Sequence, residues 1–120
     1  MSTTIECPET RQEFINLIKN NSNKIIIVKA HANWCRPCKQ MAPFIKQLFD
    51  KLPSNKLLVD LNIDDADDVS AYLKIKSIPL LIGYIDGVKQ HIFNGGSKDL
   101  LLSFFKKCGL KNSLTFNGGF

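Results

Sequence analysis

The sequence predicts an α/β domain in which a central mixed β-sheet is flanked by helices, and three observations carry this prediction. Four consecutive β-branched residues, Ile25–Val28, are typical of a strand that is covered on both faces. From Met41 onward, apolar residues recur at the spacing of an amphipathic helix. Asp86–Gly87 separates two apolar segments and predicts a hairpin turn. Strands that alternate with helices and end in a hairpin indicate a sheet that is mainly parallel in its first part.

The first elements are predicted as a short strand, a helix and a central strand. Thr3–Glu6 fits a short strand, and Pro8–Glu9 suits the first turn of a helix because proline needs no N–H there. One face of that helix is apolar and comprises Phe14, Ile15, Leu17 and Ile18. The polar run Asn20–Asn23 predicts the end of the helix, and Lys24–Ala32 then contains the central strand.

The middle of the chain predicts a long helix, a second inner strand and a short helix. The apolar face of the long helix comprises Met41, Phe44, Ile45, Leu48, Phe49 and Leu52. Pro43 predicts a kink in it, because proline removes a backbone donor and crowds the preceding turn. Lys56–Ile63 is predicted as a strand, and the acidic run Asp64–Asp68 as the cap and first turn of the short helix. A cation site is the alternative, but this run lacks the glycine and distal glutamate of a calcium loop.

The last part of the chain predicts a hairpin followed by a helix. Residues 78–85 and 88–93 form the two strands, and Ser97 caps a helix that ends at Gly109. The element order is therefore β-α-β-α-β-α-β-β-α in a single domain, residues 1–110. Residues 111–120 show no periodicity, and we expect this tail to be poorly ordered unless Leu114 and Phe116 dock on the domain.

Length and composition are those of one globular domain that needs no disulfides to hold its core. The chain has 120 residues, of which 44% are hydrophobic and 22% charged. The net charge of +5 comes from scattered basic residues, so we expect no nucleic-acid partner. No apolar run approaches the roughly 18 residues of a membrane span, and the N-terminus lacks the pattern of a secretory signal. We therefore expect a cytoplasmic protein without a membrane partner.

The segment Trp34-Cys35-Arg36-Pro37-Cys38-Lys39 carries the predicted chemistry. It lies where the central strand gives way to the long helix, and unpaired N–H groups at a helix start favour a thiolate. Cys35, which we expect to be exposed, would attack a substrate disulfide, and Cys38, one turn inward, would resolve the mixed disulfide. Zinc binding is the rival use of such a pair, but the chain has no second closely spaced pair of ligands, so we expect no metal.

The chain resembles the thioredoxin family over nearly its whole length. The features that match are the six-residue segment, Pro43 in the following helix, Ile78–Pro79, and the glycines Gly87 and Gly95. The resemblance implies a thioredoxin fold with a cis peptide before Pro79, beside Cys35. It also implies a substrate groove formed by Ile78, Pro79 and Gly95, while Pro37 stiffens the loop between the cysteines and Trp34 forms an apolar wall.

Three residues depart from the family pattern. Arg36 stands where glycine is usual, and its positive charge is expected to stabilise the Cys35 thiolate and make the pair more oxidising, unless the side chain points into water. Lys29 stands where the family commonly has a buried aspartate, and Asp60 where it has a lysine. We expect either an exchanged Lys29–Asp60 ion pair or a Lys29 side chain that simply reaches solvent.

For the remaining histidines and cysteines, the main expectation is a structural or solvent-exposed side chain without a catalytic role. We interpret His31 as a polar residue that fills the strand end. The alternative is a catalytic role as a general base. His91 is expected to be solvated. Cys7 and Cys108 are expected to be ordinary small residues, and an accessible regulatory thiol is the alternative for Cys108.

The predicted function is that of a monomeric thiol–disulfide oxidoreductase. The dithiol form of its redox-active Cys35–Cys38 pair would reduce protein disulfides and become the disulfide, without a bound cofactor, and a thioredoxin reductase or glutathione would supply electrons for cell redox homeostasis. One alternative is a more oxidising oxidase or isomerase. Another is a binding adaptor of the same fold whose cysteines are incidental.

Overall fold

The computed structural model describes residues 5–111, which form a five-stranded sheet with four helices. The strands are β1 Ile5–Glu6, β2 Ile25–His31, β3 Lys56–Asn62, β4 Leu80–Ile85 and β5 Val88–Asn94. The helices are α1 Arg11–Asn20, α2 Arg36–Asp50, α3 Asp67–Tyr72 and α4 Lys98–Cys108. The predicted order of elements is confirmed, while the predictions for residues 112–120 lie outside the described residues.

The sheet is mixed, with strand order β1-β3-β2-β4-β5. β3 pairs in parallel with both β1 and β2, whereas β4 is antiparallel to β2 and to β5. Asp86 and Gly87 form the hairpin turn with φ of 56° and 77°, as a two-residue turn with two left-handed residues requires. The predicted hairpin and the parallel first part are both confirmed.

The two faces of the sheet are covered by different helices. On one face, α1 and α3 contribute Phe14, Ile18 and Val69 to a core with Val28 and Val59. On the other face, α2 and α4 pack side chains against Ile27, Leu81 and Phe93 of the sheet, namely Ile45, Phe49, Leu101, Phe104 and Phe105. β2 lies between both layers, which explains why its apolar residues form a continuous run and do not alternate.

Several element boundaries differ from the sequence predictions. Helix α1 begins at Arg11 and not at Pro8–Glu9, because Thr10 and Glu13 form a capping box that fixes the start. The acidic run caps α3 only in part: Asp67 and Asp68 lie in its first turn, but the N-cap is Ala66 and makes no side-chain hydrogen bond. Ser97 caps α4 as predicted, accepting a hydrogen bond from the N–H of Leu100 at 3.2 Å.

No helix within residues 5–111 is both long and apolar enough to cross a membrane.

Candidate active site

The two cysteines of the predicted motif are joined by a disulfide at the start of α2. Cys35 is the N-cap residue, and Cys38 lies in the first turn, with 5.3 Å between the two Cα atoms. The backbone N–H of Cys38 donates a hydrogen bond to Cys35 Sγ at 3.2 Å. Pro37 occupies the first turn, where its missing N–H leaves no helical hydrogen bond unmade. The end of β2 and the start of α2 thus hold a redox-active dithiol pair.

The prediction that Cys35 is exposed is wrong for this disulfide form. The relative exposure of Cys35 is 4% and that of Cys38 is 6%. Ala32 is buried with them, and Ile63 and Ile78 pack against this cluster from the ends of the neighbouring strands. Because both cysteines are buried in this apolar cluster, a partner that reaches the sulfurs must come into contact with these side chains.

The segment before β4 adopts the backbone conformation implied by the family resemblance. The Ile78–Pro79 peptide bond is cis, and the carbonyl of Pro79 accepts a hydrogen bond from the N–H of Gly95 at 3.0 Å. Ser77 Oγ donates to Asn94 Oδ1 at 2.9 Å, which fixes the same loop to the end of β5. Ile78, Pro79 and Gly95 are therefore brought together beside the cysteine cluster, as the predicted groove requires.

Trp34 and Arg36 flank the buried Cys35. The Trp34 side chain is 67% exposed, and its indole Nε1 donates to Asp64 Oδ2 at 2.9 Å. This role of Asp64 was not predicted from the sequence, where the acidic run after β3 was the signal that could have indicated it. Arg36 is exposed and makes no ion pair with any residue between 5 and 111. Its charge is therefore neutralised by no neighbouring carboxylate in this part of the chain.

Lys29 and Asp60 form the predicted exchanged ion pair on neighbouring strands. They are in register across β2 and β3, and Lys29 Nζ lies 3.5 Å from Asp60 Oδ1. His31 also contacts this carboxylate, with Nε2 at 3.0 Å from Oδ1 and 3.1 Å from Oδ2. His31 is the last residue of β2, in agreement with its interpretation as a polar residue at the strand end, and its imidazole is the closer partner of Asp60.

The surroundings of Asp60 favour its charged form. Burial alone would raise the pKa of Asp60, but hydrogen bonds and charge interactions with His31 and Lys29 outweigh this effect and lower it. A carboxylate shared between two basic side chains is thus kept ionised in a partly buried place.

A cavity of about 230 Å³ is lined both by the two basic residues of this cluster and by Cys38. Lys29 and His31 line it from β2, Cys38 and Lys39 from α2, and Pro79 from the segment before β4. Lys29 is therefore not merely a solvent-reaching side chain, since it shares the space behind the second cysteine.

The two other cysteines are poor nucleophiles. Burial raises the pKa of Cys108 to about 12, and this thiol lies inside the core between α4 and the sheet. Partial burial of the sulfur and the charges of Asp60 and Glu6 raise the pKa of the exposed Cys7. Because the thiolate is the reactive form of a cysteine, the raised pKa values disfavour reaction at both residues.

Comparison with known proteins agrees with the thiol–disulfide chemistry that the site indicates. The family model described as Thioredoxin matches residues 6–107. Thioredoxin from Ophiophagus hannah is 34% identical over 95 residues, which cover 79% of this chain and 90% of the relative.

Two solved structures show the same fold over most of the chain. Oxidised mitochondrial thioredoxin 3 from Saccharomyces cerevisiae has a TM-score of 0.75 and 26% identity, covering 86% of this chain and 94% of that one. A structure on the thiol resolving mechanism in yeast mitochondrial 1-Cys peroxiredoxin via glutathione/thioredoxin systems has a TM-score of 0.75, with 25% identity and the same two coverages. The dithiol pair, its setting and these similarities agree, and the chain belongs to the thioredoxin family of thiol–disulfide oxidoreductases.

Proposed function

We propose that this protein reduces disulfides in other proteins, with Cys35 as the nucleophile and Cys38 as the resolving thiol. The observation that carries the proposal is the disulfide between these residues at the N-terminus of α2. Cys35 has the position that best favours a thiolate, because the N–H of Cys38 points at its sulfur and the helix dipole adds positive potential.

The reaction proceeds by two exchanges of sulfur–sulfur bonds. The Cys35 thiolate attacks one sulfur of the substrate disulfide, a mixed disulfide forms, and the other substrate sulfur leaves as a thiolate that takes up a proton. Cys38 then loses its proton and attacks Cys35 Sγ, which releases the second substrate thiol and leaves the Cys35–Cys38 disulfide seen in the structure. Two electrons have then passed from the protein to the substrate.

The groove beside the disulfide supports a protein substrate. Trp34 is largely exposed, and Ile78, Pro79 and Gly95 lie close to the cysteine cluster. We propose that an extended substrate segment lies against these residues, since the sulfurs are too buried to be reached without such contact.

A thioredoxin reductase or glutathione would return the disulfide to the dithiol. The yeast structure described above concerns resolution of a peroxiredoxin thiol via glutathione/thioredoxin systems, and it supports a donor of this kind for a protein of the same fold. We further propose that the protein acts as a monomer in the cytoplasm, without a bound cofactor, and contributes to cell redox homeostasis.

A second candidate function, oxidation or isomerisation of protein disulfides, is favoured by the positive charges around the pair. Arg36 follows Cys35 directly, and Lys29 lines the cavity behind Cys38. The charge of Arg36 favours the Cys35 thiolate and therefore the reduced form of this protein, which makes the couple more oxidising, whereas the charge of Lys29 is paired with Asp60.

Turnover of insulin disulfides tests the proposed function. Wild-type protein with dithiothreitol as the electron source should reduce insulin faster than dithiothreitol alone, and Cys35→Ser should abolish the acceleration. An adaptor with incidental cysteines would show no cysteine-dependent turnover, and that result would refute the proposal. Isomerisation of scrambled disulfides faster than reduction of insulin would instead support the second candidate.

A further inference from the structure

Four exposed basic residues lie on the segments that carry the disulfide and the predicted groove. Arg36 is the first residue of α2, and Lys39 lines the cavity that contains Cys38 and Pro79. Lys76 precedes Ile78 by two residues, and Lys98 follows Gly95 by three. We call Arg36, Lys39, Lys76 and Lys98 the basic rim. Arg36 and Lys39 thus adjoin the two cysteines in the first turn of α2, while Lys76 and Lys98 lie two and three residues from the groove residues Ile78 and Gly95.

The charges of the basic rim are not paired with carboxylates of residues 5–111 and are available to a partner. All four residues are exposed, and none of them has an ion pair within residues 5–111. The one contact recorded for Lys98 is with an aromatic ring, since its Nζ lies 4.0 Å from the centre of the Phe44 ring. Such a contact positions the ammonium without neutralising it.

Most carboxylates near the site interact with other residues or lie in a separate recess. Asp64 accepts the hydrogen bond of the Trp34 indole, and Asp68 pairs with Arg11 at 2.8 Å. Asp65 lines a separate recess together with Cys7. Asp99 lies next to Lys98 in the first turn of α4 and offsets one charge of the rim. A basic excess therefore remains around the disulfide.

We propose that the preferred substrates are disulfides flanked by acidic residues, and that the basic rim selects them. This inference rests on the proposed disulfide-reducing function and specifies its substrate class. Complementary charges around a reaction site raise the rate of encounter by about 10-fold to 1000-fold, and salt screens the effect. The net charge of +5 would attract acidic partners to any face, so the experiment must separate the rim from the whole molecule.

The test uses three synthetic disulfide peptides that differ only in the residues flanking each half-cystine, which are Glu, Gln or Lys. The protein is reduced with dithiothreitol and freed of it, and the second-order rate of a single turnover is measured. Salt concentrations of about 0.01 M and about 1 M give Debye lengths of about 30 Å and about 3 Å. The variant Lys76→Gln/Lys98→Gln removes two rim charges. The matched control Lys19→Gln/Lys106→Gln removes two charges from the last turns of α1 and α4.

At low salt, the Glu peptide should react at least about 10 times faster than the Lys peptide, and the ratio should approach one at high salt. The rim variant should lower the ratio at least about threefold, while the control should keep the wild-type ratio. A wild-type ratio near one, or equal losses in both variants, would overturn the proposal and leave the proposed function intact. Failure to reduce any of the three peptides would overturn both.

Discussion

At the scale of single residues, Arg36 is the change that bears most directly on the redox chemistry. Its charge stands next to Cys35 without a carboxylate partner in the described part of the chain. A cation beside a thiolate stabilises the reduced form, and a shift of about 30 mV in potential corresponds to about 1.4 kcal/mol. The exposure of the side chain limits the effect through screening by water.

Arg36→Gln should therefore make the couple more reducing, with a potential that is more negative by up to about 30 mV. Equilibration with defined glutathione mixtures measures the potential. Lys19→Gln is the control, because it lies at the end of α1 that precedes β2, whereas the cysteines follow β2. Equal potentials for wild type and Arg36→Gln would show that the guanidinium does not act on the cysteines.

Asp60 is the residue on which the charged cluster behind the cysteines depends. Its carboxylate serves both Lys29 and His31, and its removal leaves two partly buried basic groups without their acceptor. A group whose pKa is lowered by folding contributes stability above its unfolded pKa of about 3.9. The contribution is lost as the pH falls through the lower pKa of the folded state.

Asp60→Asn should thus lower the free energy of unfolding by about 1–3 kcal/mol near neutral pH. The difference from wild type should shrink as the pH falls below about 3.9. Urea unfolding of the oxidised protein over a pH series measures both effects. Asp65→Asn, an exposed carboxylate without an ion pair in residues 5–111, provides the control. A deficit that stays constant down to the lowest pH would contradict the electrostatic account.

At the scale of elements, the C-terminal end of α2 is closed by a lysine from the next strand. Lys56 Nζ donates to the carbonyl oxygens of Phe49, Asp50 and Leu52 at 3.0, 2.7 and 3.2 Å. These carbonyls lie at the end of α2 and just after it, and that of Phe49 also accepts the backbone N–H of Leu52 at 3.0 Å. A positive charge at this end of a helix interacts favourably with the helix dipole. One side chain therefore joins α2 to β3.

Lys56→Met should cost about 1–2 kcal/mol of unfolding free energy, since it keeps the apolar stem and removes a charged donor. Lys46→Met on the same helix is the control. Its ammonium makes an exposed i,i+4 pair with Asp50, so its loss should cost only about 0.3–0.5 kcal/mol. Chemical denaturation of both variants compares the costs, and equal costs would refute the helix-capping role of Lys56.

The contact between β4 and α4 depends on a residue without a side chain. A Cβ built at Gly83 would lie 2.5 Å from Cys108 Sγ, so the helix approaches the sheet as closely as it does because this position is glycine. In this geometry Cys108 is a buried core thiol, and burial raises its pKa to about 12.

Gly83→Ala should destabilise the fold by about 1–3 kcal/mol through overpacking. Adding Cys108→Ala removes the clashing sulfur, so the double variant should be more stable than the sum of the two single costs predicts, by at least about 1 kcal/mol. Thermal or urea unfolding of the four proteins gives this coupling. Additive costs would mean that Gly83 is required for another reason.

At the scale of the whole molecule, the helices and strands were predicted from the sequence more accurately than the contacts between them. Periodicity placed α2 through Met41 and Phe49, and the turn residues Asp86–Gly87 located the hairpin, because both signals are local. The burial of Cys35 was mispredicted, since the side chains that cover it, Ile63 and Ile78, come from strands distant in sequence.

The contacts within the site could be predicted only with knowledge of the register between the strands. Lys29 and Asp60 are direct partners in parallel β2 and β3, but His31 is paired with Asn62 and reaches Asp60 diagonally along the same face. The Trp34–Asp64 hydrogen bond likewise joins residues that are 30 positions apart. No local pattern encodes the His31–Asp60 and Trp34–Asp64 contacts, and the Lys29–Asp60 pair was expected only through the family resemblance. The cysteine motif could be recognised because its two residues are one turn apart.

The central claim is that Cys35 attacks substrate disulfides and Cys38 resolves the product. Its most direct test is to mix reduced Cys38→Ser with insulin and to locate any covalent adduct by mass spectrometry of peptides, with Cys35→Ser as the control. We predict that Cys38→Ser accumulates a mixed disulfide through Cys35 and that Cys35→Ser accumulates none. An adduct that forms through Cys7 or Cys108, or the absence of any adduct with Cys38→Ser, would contradict the claim.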